Sequence, residues 1–253
     1  MTDLPQQPLL AHLIELKRRL IICILTYAAA TALCYMAAGD IYGFLVRPLA
    51  EAFPDPEHRH LIYTGLTEAF VTYLKLAVFA GFFISFPVLA SQFYLFMAPG
   101  LYKQERRALI PYLVAAPLLF IAGAAFAYYG IFPAAWKFFL SFESPGGAGG
   151  LPIQLEARVG DYLSIAMHLI VAFGLSFQLP VVLVLLVRAG VITIDNLRRG
   201  RRYAVVAIVV VAAFVTPPDI FSQIALSVPL YLLYEMSILI VSPRTRCEVR
   251  RNT

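Results

Sequence analysis

Long apolar runs separated by short charged connectors decide what this chain can become. About 20 consecutive apolar residues cross the hydrocarbon core of a bilayer as a helix, and within that core only a helix or a closed barrel satisfies its own backbone groups. Runs near 20–38, 69–93, 108–140, 162–187, 203–215 and 221–241 read as six such segments. The fifth is the shortest, at about 20 Å of helix against a core of about 30 Å. The residues are 60% hydrophobic and 14% charged, far from the soluble averages of roughly 45–50% and about 25%. The fold expected is an all-α integral membrane protein, a single six-span domain over residues 1–253.

Charge in the connectors orients the spans. Lys17, Arg18 and Arg19 precede the first run, Lys103, Arg106 and Arg107 follow the second, Arg188 to Arg202 supply five arginines after the fourth, and Arg244, Arg246, Arg250 and Arg251 close the chain. The alternate connectors hold Arg47, Arg59 and Arg158, with Lys137 flanking. Positively charged connectors stay inside, so both termini and the 96–107 connector are expected in the cytoplasm. Prolines at 87, 111, 117, 133, 180 and 229 predict kinked helices that leave a concave, glove-like groove. The first run continues past Ala28-Ala29-Ala30 to Ala38, which reads as an uncleaved span rather than a secretory leader. Cys23 and Cys34 lie about 16 Å apart along one helix, too far to bridge.

The chain lacks His-Glu-x-x-His, Gly-x-Ser-x-Gly and Walker motifs, so no enzyme activity is expected. His58-x-His60 is without the usual partner ligands of a metal site, and neither metal nor cofactor is expected. Ionisable groups inside the apolar runs are functional candidates. Lys75 follows Glu68 by seven residues, on one helical face, where pairing with an acid competes with a substrate role. Asp161, Ser164 and His168 share a face of the fourth run, with Gln178 near that stripe; a polar stripe in a bilayer is expected to line the concave side. Thr216, Asp219 and Gln223 sit around two prolines between the fifth and sixth runs, where a turn and a helix cap account for them. One alternative is a small-solute transporter coupled through Lys75, Asp161 and His168; another is a passive scaffold.

The connector Phe96-Met-Ala-Pro-Gly-Leu-Tyr-Lys-Gln-Glu-Arg-Arg107 contains a different candidate. If Tyr102 onward is helical, Glu105 has Leu101, Tyr102, Ala108 and Leu109 at the three- and four-residue spacings, and none is a cation. Glu15, at the same boundary, has Arg18 and Arg19 at those spacings and a helix start beside it. Of the two, Glu105 is the carboxylate with no obvious local partner.

Three separated stretches, His12-Leu-Ile-Glu-Leu-Lys-Arg-Arg-Leu20, the 96–107 connector and Thr216-Pro-Pro-Asp-Ile-Phe-Ser-Gln223, resemble the TatC family, the six-span receptor subunits of the twin-arginine protein translocase. The resemblance covers essentially the whole chain. It implies a receptor in the bacterial cytoplasmic membrane that binds folded precursors by twin-arginine signal peptides, recruits single-span TatB- and TatA-type partners, associates with itself, and is driven by the proton-motive force. By position it makes Glu15 and Glu105 the carboxylates for the two arginines and places Arg19 and Phe96 on the same surface. Pro48 matches a functionally important position in the first outer loop, and Thr216 and Gln223 match positions where partner helices dock. The family often has a glutamate where this chain has Gln178, which puts any role for an ionised group there in doubt.

Overall fold

The computed structural model of the chain describes residues 9–53, 60–97, 110–144, 146, 150–151, 153–188, 190–215 and 220–249. They form ten α-helices and one π-helix: α1 (Leu9–Met36), α2 (Ala38–Ala52), α3 (Glu68–Met97), α4 (Ile110–Ala125), the π-helix (Phe126–Ile131), α5 (Phe132–Leu140), α6 (Val159–Ser176), α7 (Leu179–Arg188), α8 (Ile194–Arg199), α9 (Arg201–Val215) and α10 (Ile220–Val249). Five stretches among the described residues are long and apolar enough to cross a membrane: Leu13–Met36, Glu68–Phe96, Pro111–Leu140, Val159–Arg188 and Ser222–Val241. The fifth apolar run of the sequence forms α9, which has only 15 residues.

Two of the long stretches are composite, and proline lies at each break. Pro133 is in the first turn of α5, where its missing N–H leaves no donor unused; the preceding residue, Phe132, still donates to Ala127 O across the π-helical turn. Pro180 likewise opens α7, after a turn at Phe177 and Gln178. A π-turn and a proline are two recognised causes of helix kinks.

In lipid, helices associate through close van der Waals packing, which small residues permit. The long seam between α1 and α3 follows this rule. A Cβ added at Gly81 of α3 would lie 2.8 Å from both Thr31 Cα and Thr31 N of α1, and Tyr27 Oη donates to Val78 O nearby at 3.2 Å. Gly174 of α6 sits against the Phe120 ring of α4 in the same way, with 2.6 Å to a hypothetical Cβ. Phe120 in turn stacks on Phe86 of α3, with centroids 3.8 Å apart and planes at 11°.

The ends of α3 and α6 are tied by one carboxylate. Glu68 accepts from Thr64 N at 2.9 Å and Gly65 N at 3.2 Å, just ahead of its own helix, and from Gly160 N in the first turn of α6 at 3.3 Å. Free N–H groups at helix starts need such acceptors. Arg158 adds an ion pair at 3.4 Å, so this arginine, not Lys75, is the partner of Glu68. Next to it, Ile62 bridges to the segment before α6, accepting from Val159 N at 2.9 Å and donating to Ala157 O at 3.2 Å.

Gly81→Ala drives a methyl group into the Thr31 backbone and separates α1 from α3. Overpacking of this kind costs about 1–3 kcal/mol, so the unfolding midpoint in detergent should fall by several degrees. Gly43→Ala, where nothing lies within 4 Å of the added Cβ, is the control; a Gly81→Ala midpoint equal to that control would contradict the packing argument.

Candidate functional site

Residues from the sequence-predicted surface meet where the beginning of α1 runs beside the end of α3. Glu15 and Arg19, one helical turn apart on α1, form a two-donor contact: Arg19 Nη2 and Nε both donate to Glu15 Oε1, at 2.6 and 3.0 Å. The remaining Arg19 amino group, Nη1, donates to Gln92 Oε1 of α3 at 3.1 Å. Arg19 thus spans the two helices. Its side chain is only 21% exposed and that of Glu15 30%, so the pair is partly shielded from water and stronger than a fully exposed one. Phe96 follows Gln92 by four residues on the same face of α3 and is half-buried.

Of the two cations spaced to reach Glu15, the structure selects Arg19. Gln92 was invisible to sequence reasoning because a glutamine near the end of an apolar run resembles an ordinary boundary residue. Its four-residue spacing from Phe96 was the available signal. Glu105 lies outside the described residues, as do Thr216 and Asp219. Gln223, in the first turn of α10, donates to Val209 O of α9 at 3.4 Å and so ties those two helices.

A cavity of about 790 Å³ is lined by α1, α3 and α6, with Phe214 from α9. Lys75, Ser164 and His168 all line it. His168 Nδ1 lies 2.7 Å from Ser164 O; a carbonyl only accepts, so Nδ1 is the donor of this contact. The expectation that Gln178 joins this polar lining is corrected. Its side chain is buried against α4, with Nε2 donating to Ala116 O at 2.8 Å. The turn between α6 and α7 interrupts the helical register, so angular spacing counted from His168 does not carry through to position 178. Asp161 is engaged by Arg158 at 3.8 Å.

Pro48 lies buried within α2. Proline has no N–H to give to the carbonyl four residues earlier, which here is Phe44 O. That oxygen accepts from Tyr128 Oη of the π-helix at 2.7 Å, and the Phe44 and Tyr128 rings stack with centroids 4.4 Å apart and planes at 1°. Tyr162 Oη of α6 donates to the adjacent Leu45 O, also at 2.7 Å. Two phenols therefore pin α2 to the helices beneath it. Burial, reinforced by neighbouring Tyr73, pushes the Tyr42 hydroxyl of α2 upward from its ordinary range, so it remains neutral.

These features define a helical, multi-pass membrane protein with a carboxylate–guanidinium–amide cluster at one helix seam. Residues 11–229 match the family described as TatC, Sec-independent protein translocase protein, and the chain belongs to that family. It is 45% identical to the Sec-independent protein translocase protein TatC of Rickettsia prowazekii, covering 92% of this chain and 94% of the relative. Identity to the Escherichia coli K12 protein of the same name is 40%, over 92% and 87% of the two chains. A crystal structure of the twin-arginine translocase receptor TatC superposes with a TM-score of 0.77 at 36% identity, covering 92% of this chain and 99% of that one.

The freed carbonyl at Phe44 makes a double-mutant prediction. Tyr128→Phe should cost about 1 kcal/mol of stability. Pro48→Ala supplies a backbone donor for Phe44 O, so in that background the same change should cost clearly less. Thermal unfolding of the four proteins in detergent gives the coupling; strictly additive effects would contradict this role for Pro48.

Proposed function

We propose that this chain is the receptor of a twin-arginine translocation system, a six-span domain with α9 as its short fifth span and both termini in the cytoplasm of a bacterium. It binds folded precursors through their twin-arginine signal peptides, and transport is driven by the proton-motive force. Single-span TatB- and TatA-type subunits and further copies of the receptor complete the translocation site. Family membership supports this reading, as does the 15 to 4 excess of Lys and Arg in the connectors assigned to the cytoplasm.

The observation that carries the binding site is the Glu15–Arg19–Gln92 cluster beside Phe96. It is a partly shielded carboxylate already adapted to a guanidinium, at the membrane boundary where a signal peptide arrives. Glu15 and Glu105 receive the two arginines, with Arg19 and Phe96 on the same surface. Pro48 holds the outer cap, while Thr216, Asp219 and Gln223 belong to the region where partner helices dock. His168 lines the groove, and Gln178 stabilises its wall. Two charged contacts alone give a weak complex, so apolar contacts between the signal peptide and the membrane body supply the rest.

Because Arg19 already occupies Glu15, the two carboxylates should differ. Glu105→Ala should weaken binding of a twin-arginine precursor about tenfold or more, and Glu15→Ala by about threefold or less. Binding is measured on purified receptor in detergent, with cross-linking from position 105 and a precursor carrying Lys-Lys as control. Unchanged binding in Glu105→Ala, or equal cross-linking to both precursors, would reject the assignment.

A further inference from the structure

A second cavity lies beside α3, meeting the first at Phe79. It occupies about 530 Å³, within the range of about 300–1,000 Å³ typical of ligand pockets. α1 and α4 flank it and α3 forms its floor, where Ala80 leaves room; α2 lies across one end. Leu33, Ile84 and Ile121 line it and are themselves 67%, 65% and 56% exposed, so the cavity opens sideways into the bilayer. Its wall residues are apolar apart from the phenols of Tyr128 and Tyr129 and the thiol of Cys34. A cavity of this composition at hydrocarbon depth suits an acyl chain.

The polar groups lie at the α2 end. The π-helical turn brings consecutive residues Tyr128 and Tyr129 to the same cavity, and such turns occur often at functional sites. Tyr128 is committed to Phe44 O, whereas Tyr129 is 72% exposed. Arg47 of α2 lies one helical turn beyond Phe44, which lines the cavity and stacks on Tyr128. Its Nε donates to Glu51 Oε1 at 2.7 Å, and the two side chains are 72% and 65% exposed. The Nη groups of Arg47 make no hydrogen bond to a described residue, so the fork has donors to spare.

We propose that this cavity binds one phospholipid with an ammonium headgroup, of the phosphatidylethanolamine type. An acyl chain fills the cavity, the phosphate rests on Arg47 with the Tyr129 hydroxyl beside it, and the ammonium rests on Glu51. The charges favour this lipid over an anionic one. Arg47 and Glu51 are one turn apart and together neutral, so they complement a zwitterion of matching order, whereas a headgroup lacking the ammonium leaves Glu51 facing a phosphate unpaired. An exposed pair spaced by four residues is held weakly, so opening it to admit the headgroup costs little.

Native mass spectrometry of the full chain tests this, after delipidation and addition of equal amounts of phosphatidylethanolamine and phosphatidylglycerol. One phosphatidylethanolamine should be retained at about fivefold or greater preference. Arg47→Ala should lower its occupancy about fivefold, and Glu51→Gln should bring the two lipids toward equal retention. Ile121→Trp, at an exposed wall position, should displace both lipids. Equal retention by the unaltered chain, or unchanged phosphatidylethanolamine in Arg47→Ala, would overturn the proposal, and retention in Ile121→Trp would place the lipid elsewhere. All three substitutions are at exposed positions, and an unchanged unfolding midpoint in lipid-free detergent confirms that each variant is folded.

Discussion

A buried backbone carbonyl has no water to turn to, and this constraint recurs through the described helices. Where the chain departs from a regular helix or crosses a neighbour, a side chain from another element supplies a donor. Tyr128 reaches Phe44 O, Tyr162 reaches Leu45 O, Gln178 reaches Ala116 O and Tyr234 reaches Leu197 O, all at 2.7–2.8 Å. Each donor also fixes a relation between helices that apolar packing alone would leave free to slide, because dispersion contacts are many but individually weak. Glu68 does the converse at the helix starts, accepting from N–H groups of two segments at once.

Two regions with opposite tolerance follow. Around Gly81 and Gly174 the helices touch backbone to side chain, and no added atom fits. The two cavities lie between the same helices, with α2 lining one of them and α6 contributing a wall of the other. The Glu15–Arg19–Gln92 cluster lies on the tight α1–α3 seam, so its geometry is set by helix packing rather than by a loop.

Periodicity and charge made the apolar helices legible, because a run of apolar residues in a bilayer has few alternatives to a helix. The capacity of Glu15 to pair was legible too, since a four-residue spacing is a local property. Features that depend on contacts between distant segments were not. Gln92 gains meaning only when α3 lies along α1, and Pro48 only when Tyr128 arrives beneath it from 80 residues further on. Gln178 was misplaced because angular extrapolation assumes an unbroken helix. The π-helix has no composition of its own, so nothing in Phe126-Ala-Tyr-Tyr-Gly-Ile131 announces it.

The Arg19 guanidinium on Glu15 has a consequence for discrimination. Under the proposed function, a receptor that satisfies its own carboxylate sets a reference against which every newcomer is weighed. An incoming arginine replaces like with like, so the exchange is nearly balanced and reversible. An incoming lysine has to displace two short contacts to one oxygen and offers a point charge in return. Under the proposed function the threshold for entry is thus set by a residue of the receptor itself, and the same balance lets cargo leave once Arg19 returns.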